Sequence, residues 1–229
     1  MINRAEMLTA IGEMRGRLDE LERMIRLAPG GAVSAPGGFE APGIEVLTPP
    51  AFQAFRAAPP AAEPVALLPQ CPFADSVQFN ATNKTSAASL QPFALSQLHR
   101  NGAEPVTGLR LVPPLVDDGW FTYEFLAGDL DLLEWEWTEW ILKVALDEPL
   151  AMYAAFLVAS DGKDGKLDRI PLERKRITEH PSFIHCRLDR KKILATLDGA
   201  SPKSARLRLS TGGPRVPLMI YAFNIYGKR

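Results

Sequence analysis

The chain reads as mainly β, an antiparallel β-sandwich set behind an N-terminal helix and a proline-rich arm, and three observations predict this. From about residue 74 onward, short apolar runs are separated by turn residues. They show no regular alternation of strand and helix, which argues against a doubly wound parallel sheet. Ahead of them, ten of the twenty prolines fall between Pro29 and Pro72. Ahead of the prolines, apolar residues recur at spacings of four and three, the period of a coiled-coil seam.

The seam defines the first element, residues 1–28. Met7, Met14, Leu21 and Ala28 take d positions, Ile11, Leu18 and Ile25 take a, and Pro29-Gly30-Gly31 ends the run. A lone helix cannot bury such a stripe, so self-association through residues 7–28 is expected. Gly12 and Gly16 each lower helix stability by about 0.8–1.0 kcal/mol relative to Ala, so the helix should be stable only when paired. Mixed Ile and Leu at a, with Met at d, leaves dimer and trimer both open.

The second element, residues 29–73, is an arm or linker. Proline removes backbone donors and favours extended chain, which argues against a packed helix or a central strand. Phe39, Ile44, Val46, Leu47, Phe52 and Phe55 are too apolar for a purely solvated tether. Part of the arm is therefore expected along a neighbouring surface, such as that of another subunit.

The third element, residues 74–229, is the β domain. Strands are expected at Val77–Asn80, Leu109–Val112, Trp120–Leu126, Ala151–Ala159, Phe183–Leu188, Ala205–Ser210 and Val216–Tyr226, with a short capping helix at Arg190–Leu197. In Trp120–Leu126 the residues Trp120, Thr122 and Glu124 alternate with Phe121, Tyr123 and Phe125. Leu133, Trp135 and Trp137 share one parity of the run Leu130–Leu146, whereas Trp140, Leu142, Val144 and Leu146 share the other. One straight strand cannot bury both sets, so a bulge is expected near Thr138-Glu139.

Composition narrows the function. Hydrophobic residues at 46% and charged residues at 23% fit a soluble globular protein. The net charge of -1 offers no global attraction for nucleic acid or an anionic membrane. Locally, residues 75–160 carry 4 Lys+Arg against 12 Asp+Glu, and residues 161–229 carry 16 against 7. Interleaved early and late strands would let these halves neutralise each other. The other arrangement gathers Arg174-Lys175-Arg176, Arg190-Lys191-Lys192 and the strand-sharing pair Arg206 and Arg208 into a basic site. No aromatic interleaves these clusters in sequence, so nucleic acid is not expected as a partner.

Two cysteines, Cys71 and Cys186, are too few for a disulfide framework and lack a Cys-x-x-Cys spacing. No apolar stretch approaches a membrane span. No secretory leader pattern opens the chain, so cytoplasmic synthesis is the default expectation, with non-classical export compatible.

Chemistry-bearing motifs are sparse. Asp161-Gly-Lys-Asp164-Gly-Lys-Leu-Asp168 lacks the alternating oxygen ligands and terminal Glu of a helix–loop–helix calcium site and reads as a hairpin loop. Structural calcium held by Asp117, Asp118 and Asp129 has no motif behind it, so no cofactor or metal is expected. His180 and His185 do not have metal-helix spacing. No Gly-x-Ser-x-Gly, phosphate loop or His-Glu-x-x-His occurs, and Thr211-Gly-Gly-Pro214 reads as a turn. An enzyme is not expected; a glycoside-hydrolase-like or enzyme accessory domain is the minority alternative.

Aromatics are concentrated in the β domain. Trp120, Trp135 and Trp137, beside Glu134, Glu136 and Asp118, are the candidate ligand-binding residues, since exposed indoles stack on sugar rings while carboxylates bond hydroxyls. On these residues, the stretch 74–229 resembles a carbohydrate-binding β-sandwich of the jelly-roll or lectin-like kind. The resemblance implies recognition of carbohydrate or another surface ligand; with the seam at residues 7–28 and the lack of catalytic motifs, a non-catalytic, oligomeric binding protein is expected, and multivalency motivates the architecture. The alternative is a structural or assembly protein, such as a phage-like spike or fibre component, whose helix and arm dock into a larger particle.

Overall fold

The computed structural model describes residues 43–49, 52, 63–73, 76–82, 86–95, 107–114, 120–160, 167–198, 200–211 and 215–229. The expected coiled coil and most of the arm lie outside the described residues. So do Asp117, Asp118, the Asp161-Gly162 turn and the centre of the Thr211–Pro214 turn.

Twelve strands are described: β1 (Ile44–Val46), β2 (Val65–Leu67), β3 (Val77–Ala81), β4 (Ala88–Ala94), β5 (Thr107–Val112), β6 (Phe121–Leu126), β7 (Trp137–Leu146), β8 (Leu150–Ser160), β9 (Leu167–Ile177), β10 (Ser182–Asp189), β11 (Pro202–Ser210) and β12 (Leu218–Lys228). They form two antiparallel sheets. The seven-stranded sheet runs β10-β7-β12-β5-β4-β2, with β1 also on β12; the five-stranded sheet runs β3-β6-β11-β8-β9.

Period-two alternation sends one set of side chains from each sheet inward. Trp140 of β7 meets Phe156 of β8 edge to face at 5.1 Å, and Phe125 of β6 meets Phe223 of β12 at 5.2 Å. The two sheets therefore close over one core as a sandwich. The Tyr123 hydroxyl crosses that core to donate to the Val216 carbonyl. Burial, with the Asp147 charge adding to it, pushes the phenol upward, so it stays protonated as a donor.

Short helix α1 (Arg190–Leu197) follows β10 where the sequence predicts it. It buries Ile193 and Leu197 in the core, and Asp198 ends it in the left-handed conformation at φ 50°.

Two expectations need correction. The arm is not wholly a linker: β1 pairs β12, β2 pairs β4, and Phe52 is buried edge to face on Phe223 at 5.1 Å. The β domain thus recruits residues well before position 74. The bend in Leu130–Leu146 is not near Thr138-Glu139. The register of β7 on β10 is unbroken from Trp137 to Val144, and a 3-10 turn at Leu132–Glu134 precedes the strand. The register shift lies across the ladder instead, between Ile220 and Ala222 of β12.

Strands β4 and β9 lie outside the segments that the apolar pattern predicts. Strand β9, LDRIPLERKRI, is the charged, proline-bearing outer edge of its sheet. Such composition protects an edge from further pairing and hides it from a hydrophobic pattern. Strand β4 carries Pro92, which lies past the three-residue partner β2.

Candidate functional site

The outward face of the five-stranded sheet carries the most organised polar chemistry. Because Val77, Phe79, Tyr123, Phe125, Leu207 and Leu209 point to the core, the alternate residues point away from it. On β3 these are Gln78 and Asn80, and on β6 Thr122 and Glu124. On the middle strand β11 they are Arg206 and Arg208. The ladder sets Gln78 beside Glu124, and Glu124 beside Arg208.

Glu124 is fully buried at the centre of this face. Its Oε1 accepts from Arg208 Nε at 2.8 Å and Nη2 at 2.7 Å. Its Oε2 accepts from Arg206 Nη1 at 3.0 Å and Gln78 Nε2 at 2.8 Å. Burial by itself raises a carboxyl's affinity for its proton, but hydrogen bonds from Asn80, Arg206 and Gln78 and the charge of Arg208 outweigh it. The net shift is downward, and Glu124 stays ionised as an acceptor.

The arrangement fixes two guanidinium groups on a central strand without hiding them. The side chains of Arg206 and Arg208 remain 26% and 31% exposed, whereas Glu124 is 0% exposed. The carboxylate therefore positions the arginines and is not itself available to a ligand. Thr122 Oγ1, also on this face, is buried without a hydrogen-bond partner among the described residues.

Two exposed aromatics lie beyond the Arg208 end of the cluster. Trp120 is 54% and Tyr153 is 40% exposed. Trp120 immediately precedes β6, and its backbone is pinned to Thr82 in both directions. Its N–H donates to Thr82 Oγ1 at 2.9 Å, and its carbonyl accepts from Thr82 N–H at 3.1 Å. Tyr153 lies on β8 opposite Ser210 of β11 and Arg174 of β9, with the Arg174 guanidinium 5.0 Å from its ring. Strand β11 lies between β6 and β8, so the two aromatics stand about 10 Å apart across the sheet.

The other candidate residues sit elsewhere. Trp135 and Trp137 are buried at 3% and 7% exposure, not open for stacking. Arg229 lies over Trp135 at 4.9 Å and Arg187 over Trp137 at 4.6 Å. Trp135 also packs on Gly227, where an added Cβ would come within 2.5 Å of the indole. Glu134 and Glu136 are exposed beside the start of β7, and Glu136 pairs with Lys228 at 3.0 Å. Only Trp120 of the candidates falls on the polar face of the five-stranded sheet; Asp118 lies outside the described residues.

Catalytic constellations are weak by comparison. Cys186 is a free thiol buried on the core side of β10, and burial pushes it up to about 12, too high for a thiolate nucleophile at neutral pH. His185 Nδ1 lies 3.4 Å from the buried Glu139 carboxylate on the outer face of the seven-stranded sheet. Among the described residues, no three His, Cys, Asp or Glu side chains gather as a metal site needs, and no helix is long and apolar enough to cross a membrane.

No protein-family model matches the chain, and no curated protein matches its sequence. Solved structures are similar at low identity. The CBM22-1 xylan-binding domain of Paenibacillus barcinonensis Xyn10C aligns over 75% of this chain and 99% of its own, at 11% identity and TM-score 0.43. The family 11 carbohydrate-binding module of Clostridium thermocellum, in complex with a β-1,3-1,4-mixed-linked tetrasaccharide, aligns over 73% and 97%, at 10% identity and TM-score 0.41. The enzymatically active domain of bacteriophage CBA120 tailspike protein 4 aligns over 67% of this chain and 19% of its own, at 12% identity and TM-score 0.40.

Proposed function

We propose that the protein is a non-catalytic binding protein whose sandwich recognises carbohydrate on the polar face of the five-stranded sheet. One observation carries this reading: the exposed rings of Trp120 and Tyr153 share a sheet face with Arg206 and Arg208, beyond the Arg208 end, and a buried carboxylate holds both arginines in place. Aromatic faces stack on the apolar faces of sugar rings, and fixed donors beside them bond the hydroxyls. Preorganisation of those donors by Glu124 lowers the ordering cost that weak binders otherwise bear.

The heptad at residues 7–28 adds multivalency to the proposal. Copies joined there would turn a weak single site into an avid surface. Light scattering of the full chain should give a dimer or trimer, and a chain lacking residues 1–28 should be monomeric.

A glycan array probed with the full chain tests the binding claim. Wild type should retain a defined set of glycans, and a Trp120→Ala/Tyr153→Ala double variant should lose them while unfolding at the same urea concentration. An array with no retained glycan, or equal retention by the double variant, would overturn the reading.

A further inference from the structure

We infer that the carbohydrate taken by this face is acidic, a glycan bearing carboxylate or sulfate groups, with the exposed arginines of β9 and β11 as its anion contacts; this rests on the glycan reading above. Strand β9 pairs Arg169 with Leu157, Arg174 with Tyr153 and Arg176 with Ala151. Those β8 residues share the outward parity of Tyr153, so the three β9 arginines stand on the same face as Arg206 and Arg208. All three are exposed.

Among the described residues, the strands of this sheet place five guanidinium groups there and one carboxylate, Glu124. That carboxylate already serves Arg206 and Arg208 together. Arg169 and Arg176 form no ion pair among the described residues, and Arg174 lies over Tyr153. Among the described side chains, the positive charge of the face is thus compensated only in part.

Edge protection accounts for charge on β9, since an outer strand is commonly guarded by cations. It does not account for Arg206 and Arg208, which lie on the middle strand of the sheet, where no edge needs guarding. A central strand that spends two outward positions on arginine, and a buried carboxylate on orienting them, is built for a partner. All five cations are arginine, whose planar fork matches carboxylate and sulfate oxygens.

The chemistry favours an acidic glycan over a nucleic acid. Strong nucleic-acid binders combine a basic domain with extensive phosphate neutralisation, whereas this chain has a net charge of -1. The arginines of this face lie in one band beside two aromatic rings. A polymer carrying an anion on some of its sugars would place rings on Trp120 and Tyr153 and anions on the arginine rows.

The test uses the full chain on an array holding neutral glycans, their uronate-bearing or sulfated counterparts, and immobilised single- and double-stranded DNA and RNA. Retention of acidic glycans is expected, at least roughly tenfold above the matched neutral ones. An Arg169→Gln/Arg174→Gln/Arg176→Gln variant should lose that preference while keeping its urea midpoint. Equal retention of neutral and acidic forms, unchanged by the triple variant, would overturn the acidic assignment and leave the glycan reading standing. Retention of nucleic acid without any glycan, or of nothing, would overturn both.

Discussion

On the outer face of the seven-stranded sheet, Trp137 is closed beneath Arg187; on the outer face of the five-stranded sheet, Trp120 stands open and Arg174 lies over a half-open Tyr153. The residue types are the same and their fates differ because their neighbours differ. Trp137 begins a strand flanked by β10 and β12. Farther along those strands, Ile141 and Tyr226 form a second apolar cluster with Ile44 and Phe183. Trp120 sits at the mouth of β6, tied to Thr82 by its backbone alone. An aromatic beside an arginine is thus a structural plug on one face and an exposed platform on the other.

Substitutions can break or sharpen that contrast. Trp137→Ala should have the largest effect on folding, about 3 kcal/mol or more in a urea titration, because a buried indole is removed. It should leave glycan retention per folded molecule unchanged. If it abolished binding at unaltered stability, the roles assigned to the two faces would be reversed.

Glu124→Gln should follow, at about 2–3 kcal/mol. Breaking a buried pair usually costs more, but both arginines already reach water. Its pH dependence has a definite sign. Glu124 binds its proton less tightly when folded than its ordinary value of 4.5. Its contribution is therefore present above that value and is lost as pH falls through the depressed folded value. Acid unfolding of the wild type should be steeper in this window than that of Glu124→Gln.

Gly227→Ala should cost about 1–3 kcal/mol, since the added methyl displaces the Trp135 ring or Leu47. The near-ultraviolet circular dichroism of the indoles would register the shift. Trp120→Ala should be the mildest for stability, within about 0.5 kcal/mol, because the ring is exposed. It should nevertheless weaken binding.

Much of the polar face was legible before the fold. Alternation in β6 placed Trp120 and Glu124 on one side, and the spacing of Arg206 and Arg208 placed both on one face of a strand. The contact between Glu124 and these arginines spans 82 and 84 residues, and no local pattern announces which strands will be neighbours. Both arrangements that the charge asymmetry suggested are met in part: Glu124 of an early strand pairs with Arg206 and Arg208 of a late one, while Arg174 and Arg176 gather on the same face as those two arginines. Strand β9 was hidden because edge strands trade apolar periodicity for Arg and Pro.

The burial of Trp135 and Trp137 was not legible either. It depends on Arg229, Arg187 and Gly227, which approach them only after the sheet forms. Helix α1 was readable because its breadth and its polar start are local.

The central claim is that ligand covers Trp120. All four tryptophans are described, and only Trp120 is exposed, so acrylamide quenching of intrinsic fluorescence reports on that ring. With the best-retained glycan at saturation, the accessible fraction should fall to the level of a Trp120→Phe variant without ligand. Quenching that stays unchanged while the glycan is bound would place the ligand elsewhere and contradict the account.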